Sequence, residues 1–208
     1  FRFMQQSRQL GKVVIGLEDI PPSAAVGNSS LPDLVLDADA TYLVTGGSRG
    51  LGLSVAEWLV ERGVKHLALI SRKGALVNLA ELQLTFWEEQ GVSVYDWSID
   101  LAESSAKSKL QNSLKRCPPL KGVVHAAALI EDSLVSNLTA DSLDAVMQTK
   151  AGGGQVLHDV TYKMPLDFFV LFSSATTSFG NPGQAAYIAA NSYLESLAEQ
   201  RRSEGLPA

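Results

Sequence analysis

The sequence predicts an α/β fold built on a doubly wound parallel sheet, and three observations carry that prediction. Five apolar, β-type runs, at 42–44, 66–70, 92–97, 122–125 and 166–172, alternate with helical patterns. Strands separated by helices call for a parallel sheet covered on both faces. The first run passes straight into Thr45-Gly46-Gly47-Ser48-Arg49-Gly50-Leu51-Gly52 and then a helical stretch, a strand, glycine turn and helix in sequence. Right-handed crossovers arrange such strands in the order 3-2-1-4-5, with a ligand crevice at the carboxyl ends of strands one and four.

In chain order, residues 1–10 suit a short helix, and 11–16 suit a strand bounded by Gly11 and Gly16. Residues 17–38 include Pro21, Pro22, Gly27, Asn28, Ser29 and Ser30 without apolar periodicity. That is linker chemistry, so the main domain is expected from residue 39 to 208. In the helix after the glycine turn, Val55, Ala56, Leu59 and Val60 share the core-facing side, and Gly63 ends it. Leu76, Leu79, Leu82, Leu84 and Phe86 suggest a buried helix face before Gly91. Further helices are expected at 104–116, 141–147 and 187–204. The chain stops at Ala208, where a sixth strand is expected, so the sequence reads as a piece of a longer polypeptide.

Composition narrows the function classes. The 208 residues carry a formal net charge of −5 and no dense Lys/Arg block. That argues against a nucleic-acid binder, whose affinity rests on many phosphate contacts. Cys117 is the single cysteine, so no internal disulfide is possible, which suits a reducing cytoplasm. No apolar run reaches the roughly 18–20 residues of a spanning helix. A soluble, cytoplasmic protein is expected.

The glycine turn has two readings, a tight connection or a phosphate cradle. Glycines let the backbone approach a ligand, and the free N–H groups of a helix start attract phosphate. The spacing, with glycines at 46, 50 and 52, is not G-x-G-x-x-G. Strand two ends in Ser71-Arg72, with Arg72 twenty residues beyond Gly52, where a dinucleotide fold reads the adenosine ribose. An acid there would accept from a 2′-hydroxyl, whereas arginine accommodates a 2′-phosphate, so NADPH is the expected cofactor. Arg49 adds a second cation. Asp100, at the end of strand three, suits either the adenine amine or a turn before the next helix.

A second constellation follows strand five: Ser173-Ser174, Gly180-Asn181-Pro182-Gly183, then Tyr187 and Asn191 one helical turn apart. Together with Gly122-Val123-Val124-His125-Ala126-Ala127 and Arg201-Arg202-Ser203-Glu204-Gly205-Leu206-Pro207, these residues make the chain resemble a short-chain dehydrogenase/reductase of Rossmann type. Within that superfamily it resembles the ketoreductase domain of type I polyketide synthases and animal-type fatty acid synthases, over about residues 39–208. Stand-alone reductases usually carry Tyr-x-x-x-Lys, and here Asn191 stands in the lysine's place. The synthase ketoreductases take their lysine from the helix after strand four, which here is Lys150.

The resemblance implies a catalytic set of Lys150, Ser174, Tyr187 and Asn191, and a cofactor seat that includes Ser71, Ala126 and Ala127 beside the turn. Tyr187 would give a proton to the ketone oxygen and Ser174 would hold that oxygen. A lysine ammonium at about 4 Å can stabilise a phenolate by about 4 kcal/mol at an effective dielectric near 20. Asn191 would position Lys150 or a water. The implied reaction is NADPH-dependent reduction of a β-ketoacyl thioester on an acyl carrier domain, within a multidomain, homodimeric parent. Residues 1–16 resemble the end of a preceding enoyl reductase domain. Ile130-Glu131-Asp132 stands where a Leu-Asp-Asp motif goes with one hydroxyl configuration, and Phe179 where a tryptophan goes with the other. The retained Asp132 leans to the D-alcohol. A non-catalytic scaffold and a stand-alone reductase of small carbonyl compounds are the rival readings.

Overall fold

Tyr42, Leu43 and Val44 are fully buried, and this explains why strand β1 (Thr41–Thr45) reads as an unbroken apolar run instead of an alternating one. The computed structural model of the protein describes residues 34–74 and 81–208; the expectations for 1–16, most of the linker, Leu76, Leu79 and the Leu82 side chain lie outside them. Leu36–Ala208 form one compact unit. Its elements after β1 are α1 (Gly50–Glu61), β2 (His66–Ser71), α2 (Glu81–Glu89), β3 (Ser93–Ser98), α3 (Ala106–Leu114), β4 (Leu120–His125), α4 (Ala140–Met147), α5 (Gly153–Thr161), β5 (Phe168–Leu171), α6 (Thr176–Phe179) and α7 (Ala185–Ser203).

The sheet order is β3-β2-β1-β4-β5, all parallel, as the crossover rule predicts. In register, Thr45 at the end of β1 stands beside Ile70 of β2 and His125 of β4. The carboxyl ends of the three central strands therefore open at one level.

Successive side chains of β1 feed opposite faces, as the two-residue period demands. Tyr42 and Val44 pack with Ala56, Leu59 and Val60 of α1, Leu67 and Leu69 of β2, and Trp87 of α2. On the other face Leu43, Ala68, Ile70 and Val123 meet Leu110 of α3 and Leu157 and Val160 of α5. Each fully buried aliphatic side chain contributes about 1.5–3 kcal/mol, so this double packing fixes the sheet and leaves its strand ends rigid.

Helix α2 departs from the expected face. Phe86 is 51% exposed, while Trp87 is 1% exposed and Leu84 packs beside it. Leu84 and Trp87 are three apart and form the core stripe; a stripe drawn through the leucines selects Phe86 wrongly. With the Gln83 amide oriented by its neighbours, its oxygen accepts the Trp87 indole N–H at 2.8 Å, which satisfies the buried donor.

Between α4 and α5 the helix widens into a π turn, Gln148–Gly152. Such one-turn expansions are frequent at functional sites, and this one carries Lys150. Among the described residues no helix is long and apolar enough to cross a membrane.

Candidate active site

The turn after β1 is built by backbone requirements. Gly46 (φ +70°) and Gly50 (φ +53°) take left-handed conformations, which glycine adopts without steric cost. A Cβ on Gly52 would run into the Gly46 carbonyl, and one on Gly46 would sit 3.1 Å from the Ala127 backbone. Gly47 serves packing instead, since a Cβ there would stand 2.7 Å from Leu69 Cδ2. Arg49 caps α1 with extended backbone and no side-chain hydrogen bond, and the first turn of α1 holds no acid. The first N–H groups of any α-helix lack intrahelical acceptors, so this helix start is a ready anion seat.

A cleft of about 550 Å³ opens over this turn, lined by Thr45, Gly46, Ser48 to Gly52, Ser71, Arg72, Asp100, Ala126 and Ala127. The sequence-predicted cofactor residues thus share one cavity, with Gly47 beneath it. Ile70, Lys73, Ile99, Leu101, Ala128 and Thr149 complete the wall. Arg72 is exposed at the end of β2, and its carbonyl accepts from Ser98 Oγ at 3.0 Å. Asp100 Oδ1 accepts from the Ala102 N–H at 3.0 Å, so this carboxylate opens a turn and also lines the cleft.

Three features of the cleft suit a dinucleotide. The turn has no room for a Cβ at Gly52, the Ser71 hydroxyl is buried without a partner, and cations at 49, 72 and 73 line the cleft, whose one acid among the described residues, Asp100, follows β3 and not β2. The pyrophosphate would sit on the α1 start, and the adenosine end would lie toward Arg72.

The second centre converges from three segments. Lys150 is 2% exposed; its Nζ donates to the Phe172 carbonyl at 2.7 Å and stands 5.3 Å from the centre of the Tyr187 ring. Burial brings the ammonium down to about 8. Tyr187 and Asn191 lie on α7, where the Asn191 Nδ2 donates to the Tyr187 carbonyl at 2.8 Å. Asn191 is fully buried and its Oδ1 has no partner. The amine of Lys150 is therefore held by the Phe172 carbonyl, and Asn191, expected to position Lys150 or a water, bonds the Tyr187 backbone and leaves its buried Oδ1 open. Helix periodicity places Asn191 beside Tyr187 but carries no information on Phe172.

Ser174 lies in the loop after β5, three residues past Leu171. Its Oγ accepts from the Thr176 hydroxyl at 2.9 Å and the Thr176 N–H at 3.3 Å, which leaves its own proton free to donate. Glu195 of α7 accepts from Ser173 Oγ, and from Thr177 Oγ1 at 2.9 Å, clamping the loop on both sides of Ser174.

His125, to which the sequence pattern assigns no role, joins the two centres. It is fully buried, with Nδ1 2.7 Å from Thr45 Oγ1 and Nε2 2.8 Å from the Lys150 carbonyl. A lone histidine ending the buried run Gly122-Val123-Val124 at the crevice is the signal that marks it.

Fold and cleft together define a dinucleotide-binding α/β domain with a lysine–tyrosine centre beside the cofactor seat. The family model described as the KR domain matches residues 40–208. Over 207 residues the chain is 35% identical to highly-reducing polyketide synthase 1 of Aureobasidium melanogenum, covering 100% of this chain and 9% of that protein. It is 39% identical to 6-methylsalicylic acid synthase of Aspergillus niger over 196 residues, 88% of this chain and 11% of that one. Among solved structures, A-type ketoreductases from a modular polyketide synthase superpose with a TM-score of 0.76 at 40% identity, covering 83% of this chain and 37% of theirs. The first ketoreductase of the tylosin polyketide synthase gives 0.76 at 35% identity, over 84% and 38%. The chain belongs to the KR domain family of polyketide synthase ketoreductases, oxidoreductases that use a nicotinamide cofactor. It spans only about a tenth of the length of these curated relatives.

Proposed function

We propose that this chain reduces a β-ketoacyl thioester, presented on an acyl carrier domain of a polyketide synthase, to the β-hydroxyacyl thioester with NADPH. The observation that carries this reading is the buried Lys150 ammonium 5.3 Å from the Tyr187 ring centre, next to a cleft with an anion-binding turn. When bound, the nicotinamide supplies hydride to the β-carbon.

The residues of the chain do the rest. As charge grows on the ketone oxygen, it needs a proton and a donor. Tyr187 gives the proton. Ser174 Oγ, already accepting from Thr176, turns its hydroxyl hydrogen to the same oxygen. The Lys150 ammonium stabilises the phenolate left on Tyr187, and its attraction is strengthened by exclusion of water around it. Asn191 ties its side chain to the Tyr187 backbone and so fixes the turn of α7 that aims the phenol.

The preference for the 2′-phosphorylated cofactor rests on Arg72, Arg49 and Lys73 at the cleft, with no acid where a ribose hydroxyl would be read. The carrier domain and neighbouring synthase domains, an enoyl reductase among them, are the partners this reading implies, in a homodimeric, cytoplasmic parent. The lean to a D-configured alcohol rests on the motif resemblance at Asp132 alone, and chiral separation of the product checks it.

The test is turnover of a β-ketoacyl pantetheine thioester with NADPH by the intact polypeptide. NADPH consumption matched by hydroxyacyl product, and lost in Tyr187→Phe, is the expected result. No turnover, or turnover unchanged by the substitution, overturns the proposal.

A further inference from the structure

His125 bridges the cofactor turn and the Lys150 turn through a hydrogen-bond chain in which every proton has a definite place. The Lys150 carbonyl can only accept, so the Nε2 of His125, 2.8 Å away, carries the ring hydrogen. Nδ1 is then a bare acceptor and takes the hydroxyl hydrogen of Thr45 at 2.7 Å. Thr45 Oγ1 in turn accepts the Ala127 N–H at 3.1 Å. A second path closes the loop: the Lys150 ammonium donates to the Phe172 carbonyl, and the Phe172 N–H donates to the His125 carbonyl at 3.1 Å. Both ends of Lys150 are thus referred to one residue.

The glycines beyond Lys150 fit this purpose. A Cβ on Gly153 would lie 3.1 Å from His125 Cε1, and one on Gly154 would meet Leu194 at 2.6 Å. Only a bare helix start can press the π turn so close to the ring. The buried ring stays neutral because burial pushes its titration down to about 4, so this donor–acceptor pattern persists across the physiological range.

We infer that His125 is a positioning residue that locks the Lys150 turn to the first strand–helix turn, holding the ammonium and the cofactor seat in one frame. This rests on the reading of Lys150 as part of a ketone-reducing centre. A histidine that only fills space would owe nothing to which nitrogen bonds which partner.

Two amide substitutions separate these cases in the intact polypeptide. In His125→Gln the longer side chain carries an N–H to the Nε2 position and keeps the bond to Lys150. In His125→Asn the amide oxygen reaches the Nδ1 position, keeps the Thr45 bond and leaves the Lys150 carbonyl without its donor. Reductive methylation with formaldehyde and a borane, read peptide by peptide in a mass spectrometer, reports release of the Lys150 amine, with exposed Lys107 as the internal reference.

We expect Lys150 to be methylated about tenfold faster or more in His125→Asn, with kcat lower by about 10- to 100-fold and the NADPH KM within about threefold of wild type. His125→Gln should stay within about threefold of wild type in Lys150 labelling and kcat. Gly153→Ala, which retains the histidine and crowds its ring, should give an intermediate rise in labelling. Equal labelling of Lys150 in the Asn and Gln variants overturns the inference. So does unchanged labelling in Gly153→Ala if the His125 variants do not fold. A wild-type protein that reduces no β-ketoacyl thioester, yet shows the predicted order of Lys150 labelling, overturns the proposed reaction and leaves the positioning role standing.

Discussion

The glycine turn and the Lys150–Tyr187 centre face the same crevice but are made of different materials. The turn is eight consecutive residues whose job is done by backbone: positive φ at Gly46 and Gly50, a forbidden Cβ at Gly52, and the N–H groups of α1. The proposed catalytic centre is made of side chains drawn from the π turn, the loop after β5 and α7, which meet only because the sheet and helices bring them together. Damage to the first should therefore appear in cofactor affinity and damage to the second in the rate of the chemical step.

The largest expected effect belongs to the side-chain centre. Tyr187→Phe removes the proposed proton donor and should lower kcat by about 100- to 10,000-fold with the NADPH Kd within about threefold, as read by single-turnover kinetics and nicotinamide fluorescence. A parallel loss of cofactor affinity would break the division. Gly52→Ala attacks the other region, because its methyl has no room beside the Gly46 carbonyl. It should weaken NADPH binding by about tenfold or more and destabilise the fold by about 1–3 kcal/mol, measured by titration and urea unfolding.

Arg72→Gln should lower the NADPH-over-NADH preference by about 10- to 100-fold, with kcat at saturating cofactor nearly unchanged. An unaltered preference would assign the 2′-phosphate elsewhere.

His125 belongs to both regions and predicts a pH effect on stability. Its ring titrates near about 4 when folded, against an ordinary value of 6.5. The unfolded chain therefore binds a proton below about 6.5 that the folded chain refuses until about 4, and stability falls as pH drops through that window. The loss approaches about 3 kcal/mol and is absent above the window. His125→Gln should flatten that part of the stability curve in urea titrations. The smallest effect is expected at Phe86, whose exposed ring should be replaceable by Ser within about 0.5 kcal/mol, whereas Trp87→Ala should cost about 3–5 kcal/mol.

The same division decides how much of the molecule was legible in its sequence. Sheet order followed from strand spacing and the handedness of crossovers, and the turn from local glycine placement, because these constraints act over a few neighbouring residues. In helix α2 the expected face keeps Leu84 but exchanges Phe86 for Trp87, because adjacent aromatics compete for the core and only packing against the sheet chooses. Lys150 carries no local mark at all: in sequence it is an ordinary helix lysine, and family resemblance alone singled it out. The bond from its amine to the Phe172 carbonyl crosses 22 residues and involves a backbone atom, which no residue pattern encodes. The π turn that carries it was also invisible, since it is a change of backbone hydrogen bonding within one turn that no residue type encodes.

The central claim is that this crevice carries hydride from a nicotinamide to a ketone protonated by Tyr187. The most direct measurement supplies NADPH deuterated on the transferable face of C4, together with a β-ketoacyl thioester, and locates the label in the product by mass spectrometry and NMR. One deuterium is expected on the carbon bearing the new hydroxyl with the wild-type protein and none above background with Tyr187→Phe. Label incorporation that is equal in the two proteins, or absent from both, would contradict the claim.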